Sequence, residues 1–158
     1  MDILDEEILN LWKLLHKHSV QYIMIGGFAT NLHGFNRMTA DLDLWIKDTP
    51  ENRKNLRIVL QELELGDFES IETIDFIPGW SSILLTSGFE LDIMTSIKGF
   101  PQTSFDDCYE KSSTAILYDI SIKFLNLNQL IEAKKASSRD KDLIDIKELE
   151  KIKSKQKQ

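Results

Sequence analysis

Cysteine is almost absent from this chain. Cys108 stands alone, which excludes an intramolecular disulfide framework and a cysteine-based zinc site. A lone thiol fits a reducing compartment. Long apolar runs are also missing: none approaches the ~20 residues that a membrane-spanning helix needs. The acidic opening MDILDEEILN carries no signal-peptide pattern. Together these absences give the expectation of a cytoplasmic protein without membrane contact. Basic residues are in deficit, with 19 Lys and Arg against 26 Asp and Glu and a net charge of −7. That argues against a wide basic surface for non-specific nucleic-acid binding. The deficit is uneven, because the last eight residues, KIKSKQKQ, hold four lysines and no acid. The expected organisation is one domain over residues 1–150 and a flexible, solvated basic tail over 151–158, with a weak polyanion contact as the tail's other reading. Repeats, linkers and low-complexity stretches are absent apart from that tail. Two phosphate-binding signatures are missing as well: neither G-x-G-x-x-G nor a P-loop Gly-Lys-Ser/Thr occurs.

What is present reads as one ordinary globular domain, 42% hydrophobic and 28% charged over 158 residues. Residues 3–18 space their apolar side chains as a helix, acids first and His16, Lys17 and His18 last, which suits the helix dipole. His16 and His18 sit two apart, share no helix face and read as dipole partners rather than metal ligands. Residues 20–25 form a short apolar strand ended by Gly26-Gly27. A short helix follows, stopped at Gly34. Residues 40–46 alternate as a half-buried strand. Thr49-Pro50-Glu51 opens a helix running to about Leu65, with Gly66 as its stop. Strands are expected at 68–77 and 80–87, split by a Pro78-Gly79 turn, and again from Phe89. A short helix after Ser104, a β-rich run at 114–125, a helix capped by Asn126 and Gln129, and a last amphipathic segment from Asp140 complete the chain. The order implies an α+β (α/β-like) domain with a mixed β-sheet flanked by helices.

The chemistry concentrates in residues 22–46. A strand ending in Gly26-Gly27 and opening a helix lets backbone approach a ligand without Cβ interference, and the free N–H groups suit a phosphate. A tight turn is the plain alternative. Asp41 and Asp43 lie two apart on one strand and point to one side. Close like charges are unfavourable unless a cation lies between them, and Mg²⁺ prefers such oxygen ligands. Two exposed surface acids are the alternative. Asp92 is the third candidate, bracketed by Leu91 and Ile93 on a later strand, with Glu90 of the same parity as its rival. Three converging carboxylates would suit two-metal phosphoryl-type chemistry. Arg37 could hold a phosphate or salt-bridge an aspartate. Thr39 could cap or hydrogen-bond locally, and His33 reads as structural. Lys134 and Arg139 lie near Asp142 and Asp145, where ion pairing on a helix surface is the plain reading.

The order hydrophobic strand, Gly26-Gly27, thirteen residues, Asp41-Leu42-Asp43, then Asp92 on a strand resembles the nucleotidyltransferase superfamily of the DNA polymerase β type. The stretches GGFATNLHGFNRMTADLDL and KKASSRDKDLIDIKEL look closest to small bacterial AbiEii-like toxin enzymes. The resemblance implies a nucleotidyltransferase fold and Mg²⁺-dependent (or Mn²⁺-dependent) transfer of a nucleoside monophosphate from an NTP such as ATP or GTP to a hydroxyl acceptor. The acceptor could be RNA, protein or a small molecule, and a toxin–antitoxin partner could exist. A catalytically weak nucleotide- or partner-binding module on the same scaffold is the alternative. Carried over, Asp41, Asp43 and Asp92 are catalytic and bind the metal, with Asp92 helping to deprotonate the acceptor. Gly26, Gly27, Arg37, Thr39 and Lys134 bind the nucleotide, Lys135 being the fallback for Lys134. Asp142 matches an acid of the final motif with no role assigned. Phe28 departs from the pattern, since a small polar residue is common there among catalytic members.

Overall fold

The computed structural model describes residues 5–77 and 80–157. The expected Pro78-Gly79 turn lies outside them. Helix α1 (Glu6–Lys17) starts where Asp5 accepts a hydrogen bond from the Glu7 N–H, and it buries Ile8, Leu11, Trp12 and Leu15. Strand β1 (Tyr22–Ile25) runs straight into α2 (Gly26–Leu32). Strand β2 is Asp41–Ile46, and α3 (Pro50–Glu62) follows with the Thr49 hydroxyl accepting from the Asn52 N–H. The next elements are β3 (Ser82–Leu84), β4 (Glu90–Met94) and a short α4 (Phe105–Glu110). Strands β5 (Ser113–Leu117) and β6 (Ile120–Phe124) precede α5 (Leu127–Ser137) and α6 (Asp140–Gln156). The Asn126 side chain accepts from the Gln129 N–H at 2.8 Å, the cap its sequence implies. Helix α6 continues to Gln156, so Lys151, Lys153 and Lys155 sit on its last turns.

The strands form one mixed sheet in the order β3-β4-β2-β1-β6-β5. Strand β2 runs antiparallel to β1 and parallel to β4. This is the mixed α+β architecture that the element order implies. Leu42, Leu44, Ile46, Leu91 and Ile93 are buried on one parity of the central strands. On the other parity Trp45 is buried against Phe100 and Phe105, and its indole N–H donates to the Thr95 carbonyl. The Gln102 amide donates to the carbonyls of Ile46 and Thr95, stitching the ends of β2 and β4 together. One end of this sheet face is therefore a packed aromatic floor. The other end carries Asp41 and Asp43.

Two expectations fail for identifiable reasons. Residues 68–77 do not form a strand; Glu69–Glu72 is a single 3-10 turn. The buried guanidinium of Arg53 donates to the carbonyls of Ile71 and Ile74, so these acceptors are taken by a side chain instead of a neighbouring strand. The run 80–87 shrinks to the three residues of β3. The β-rich run 114–125 is a hairpin, turned at Tyr118 and Asp119 with φ of +48° and +66°. Positive φ at both central residues is the turn that matches strand twist, but Tyr-Asp carries little of its usual sequence signal.

Candidate active site

The site is built from the register of two parallel strands. Asp43 of β2 is opposite Asp92 of β4, and Asp41 is opposite Glu90. Adjacent strands lie about 4.8 Å apart, so equivalent side chains on one face are neighbours. Asp43 and Asp92 are half-buried at the centre, whereas Asp41 and Glu90 are exposed at the rim. Glu90 and Asp92 both line the cavity, and Asp92 is the one beside Asp43.

Strand β1 brings the glycines to the same place. Ile25 is opposite Asp43, so Gly26 follows directly beside it. Gly26 has φ +73°, and a Cβ there would run into the Asp43 carboxylate. A Cβ on Gly27 would stand 2.5 Å from the Thr39 hydroxyl oxygen and 3.2 Å from an Arg37 guanidinium nitrogen. Each glycine thus makes room for a candidate site side chain, beyond serving the turn. The Thr39 hydroxyl hydrogen-bonds locally, donating to the Asp41 carbonyl at 3.4 Å.

The facing wall comes from α5 and α6. Asp142 and Asp145 are wholly buried, contrary to the surface pairing expected from sequence. Arg37 grips Asp145 through two parallel bonds of 2.7 and 2.8 Å, and Lys134 donates to the same carboxylate at 2.8 Å. Arg139 holds Asp142 through its backbone N–H and its side chain. Burial disfavours the charged forms of both acids, but these bonds outweigh it and pull both below the usual carboxylate range. Arg37 therefore salt-bridges an aspartate, though neither of the two nearest in sequence. Lys134 lines the cavity with its ammonium already engaged. His33 is structural, as expected: a ring nitrogen meets the Leu125 carbonyl at 2.8 Å, and burial lowers its basicity.

Between floor and wall lies a cavity of about 500 Å³. The eight residues expected to serve the site all line it; Asp41, Asp43 and Asp92 belong to the sheet, whereas Arg37 and Lys134 meet at Asp145 of α6. Asp43 is pushed up to about 6, first by burial and then by the charges of Asp92 and Asp41, against the pull of Lys141 and Arg139. Among the described residues no three His, Cys, Asp or Glu side chains are gathered closely enough to hold an ion as they stand. The donor chemistry nevertheless fits a hard divalent cation. The floor offers oxygen donors, chiefly the three carboxylates with Ser82 beside Asp92, and the repulsion that adds to burial in raising Asp43 is what a cation would relieve.

A family model described as nucleotidyltransferase of unknown function (DUF6036) matches residues 1–155. The chain belongs to that family. No curated protein matches it significantly. Among solved structures, this nucleotidyltransferase is similar to the lincosamide antibiotic adenylyltransferase LnuA in its lincomycin-bound form. The TM-score is 0.60 at 18% identity, covering 96% of this chain and 99% of the other. An antigenic nucleotidyltransferase-like protein from Paracoccidioides brasiliensis gives a TM-score of 0.54 at 20% identity, over 92% of this chain and 72% of that one. At these identities the likeness establishes a shared fold. The nucleotidyltransferase's Phe28 is buried and packs on Phe89 at 5.5 Å between ring centroids, so the departure at this position is occupied by core. Two more lysines line the cavity: Lys98, which sequence reasoning passed over, and Lys141, which it met only as the lysine of the Lys-Asp step in the C-terminal motif. Lys98 stands outside every recognisable pattern, and Lys141 had no role assigned to it.

Proposed function

We propose that this family member moves a nucleoside monophosphate from an NTP to a hydroxyl group of a small molecule, using the Asp41–Asp43–Asp92 floor. The observation that carries the reading is the register of Asp43 against Asp92, with Gly26 set beside Asp43 at one end of the cavity. That adjacency is also why an inactive binding module is the weaker reading. Asp41, Asp43 and Asp92 would hold Mg²⁺, with Mn²⁺ as a substitute. A divalent cation bound there would neutralise phosphate charge and polarise the α-phosphate.

The chain's own groups do the rest. Gly26 and Gly27 leave room for phosphate oxygens beside the first turn of α2. Arg37 and Lys134, held by Asp145, contribute positive charge to the opposite wall, and Thr39 packs over Gly27. The acceptor oxygen attacks the α-phosphorus in line with the departing oxygen. The bond from the α-phosphorus to the bridging oxygen breaks, pyrophosphate leaves with that oxygen, and the acceptor's proton passes to the Asp92 carboxylate. A small acceptor is favoured over RNA by the net charge of −7 and by the exposed acids Asp41 and Glu90 at the rim. A toxin-type activity on RNA would require a basic approach to that rim.

The test is label transfer. The protein is incubated with each α-labelled NTP and separated small-molecule, RNA and protein fractions of a cell lysate. Label entering a small hydroxylated compound is expected, and Asp43→Asn should abolish it. Label found in RNA or protein would replace the acceptor assignment. No transfer from any NTP into any fraction would count against the reading as a whole.

A further inference from the structure

Five cations line the cavity, and they are not equivalent. Both arms of the Arg37 fork rest on Asp145, and its third nitrogen donates to the Met38 carbonyl. Lys134 lies 2.8 Å from Asp145 and 3.7 Å from Asp142, with its side chain 5% exposed. Arg139 spends two nitrogens on Asp142. These three cations share two buried carboxylates, and a phosphate could take Lys134 only at the cost of its buried bond to Asp145, leaving that acid to Arg37 alone. Lys98 and Lys141 differ. Both are exposed, both line the cavity, and among the described residues neither has an acid within ion-pair distance.

Their supports are rigid. Lys98 sits in the tight turn closed by reciprocal backbone bonds between Ile97 and Phe100, at 3.0 and 2.9 Å. Gly99 has φ +87°, and a Cβ on it would lie 3.3 Å from the Ala136 side chain, so the turn is pressed against α5. Lys141 occupies the first turn of α6, fixed by the bonds between Asp142 and Arg139. The two lysines come from separate elements, the turn at 97–100 and the first turn of α6, and both elements adjoin α5. Both lysines are also long, flexible point charges, suited to a ligand that changes shape as pyrophosphate departs.

We propose that Lys98 and Lys141 are the direct ligands of the β- and γ-phosphates, and that Lys134 is a buried positioning residue holding α5 to α6 through Asp145. This rests on the nucleotide-binding reading above and divides its phosphate end between two kinds of cation. Because the selective pair meets the outer phosphates, the site should prefer triphosphate over monophosphate.

Calorimetric binding of Mg-ATP, Mg-AMP and Mg-tripolyphosphate to the full chain tests this. Lys98→Gln and Lys141→Gln should each weaken Mg-ATP and tripolyphosphate about 5- to 20-fold, as for loss of one charge-assisted bond. AMP binding should change less than twofold, and Tm should not move. Lys134→Met should lower Tm; if it remains folded, it should keep the wild-type ratio of ATP to AMP affinity. Unchanged ATP affinity in both glutamine variants, with wild-type binding intact, would overturn the division of roles while leaving the nucleotidyltransferase reading in place. A folded Lys134→Met protein that selectively lost ATP would do the same. Absence of ATP and tripolyphosphate binding in the wild type would overturn both.

Discussion

Replacing Asp43 by Asn should stabilise the metal-free protein, by an amount that depends on pH. The Asp43 carboxyl rises from its ordinary 3.8 to about 6, because burial and then the neighbouring Asp92 and Asp41 charges disfavour ionisation. A gap of this size corresponds to about 3 kcal/mol between the two protonation states, or roughly 2 kcal/mol once solvent reaching a half-buried group is allowed for. The folded state keeps its proton up to about 6, whereas the unfolded chain gives it up near 3.8. Wild-type stability is therefore free of this penalty below the unfolded value, falls as pH rises between the two, and carries the full penalty above the folded one. Asn lacks the titration. Urea unfolding in EDTA should find Asp43→Asn and wild type within about 0.5 kcal/mol at pH 4, and the variant more stable by about 2 kcal/mol at pH 7.5. The same difference at both pH values would refute the reasoning, since a packing effect does not titrate. A less stable variant at pH 7.5 would refute it more strongly.

Three further substitutions probe the scaffold. Gly26→Ala should cost more than about 1 kcal/mol in urea unfolding, because φ is +73° and the new Cβ meets the Asp43 carboxylate; adding Asp43→Ala should recover only the collision part. Asp145→Asn leaves Arg37 and Lys134 without their shared counter-charge and should lower stability by about 3–5 kcal/mol, read as a fall in the urea midpoint. Phe28→Ser, which restores the residue type common in catalytic relatives, should cost about 3–5 kcal/mol through lost packing on Phe89 and should not raise activity.

Much of the floor of this site can be read from local pattern. The alternation of Asp41, Asp43 and Trp45 against Leu42, Leu44 and Ile46 fixes one face of β2, and the observed burial follows it as far as Leu44, Trp45 being buried under Phe100 and Phe105. The glycine pair ends β1 where a strand meets a helix. Helices α3 and α5 begin at Thr49 and Asn126, whose side chains cap them. What resists such reading depends on partners far away in the chain. Ile71, Ile74 and Phe76 suggest a strand, but Arg53 claims the carbonyls around them. Arg37 meets an acid 108 residues away, and nothing near Arg37 announces it. Asp142 and Asp145 look like surface acids on an amphipathic helix until α5 and the Arg37 loop close over them. The identity of the cavity's engaged and disengaged lysines follows from those burials alone.

The central claim is that the Asp41–Asp43–Asp92 floor binds a divalent cation together with a nucleoside triphosphate. Titrating ATP into the protein with Mg²⁺ and then with EDTA, for wild type and for Asp41→Asn with Asp43→Asn, tests it most directly. Carboxylates that hold a cation should make wild-type binding Mg²⁺-dependent, and the double variant should lose at least tenfold in affinity. Carboxylates that merely repel the nucleotide would give the opposite sign. Tighter ATP binding by the double variant in the presence of Mg²⁺ would contradict the account.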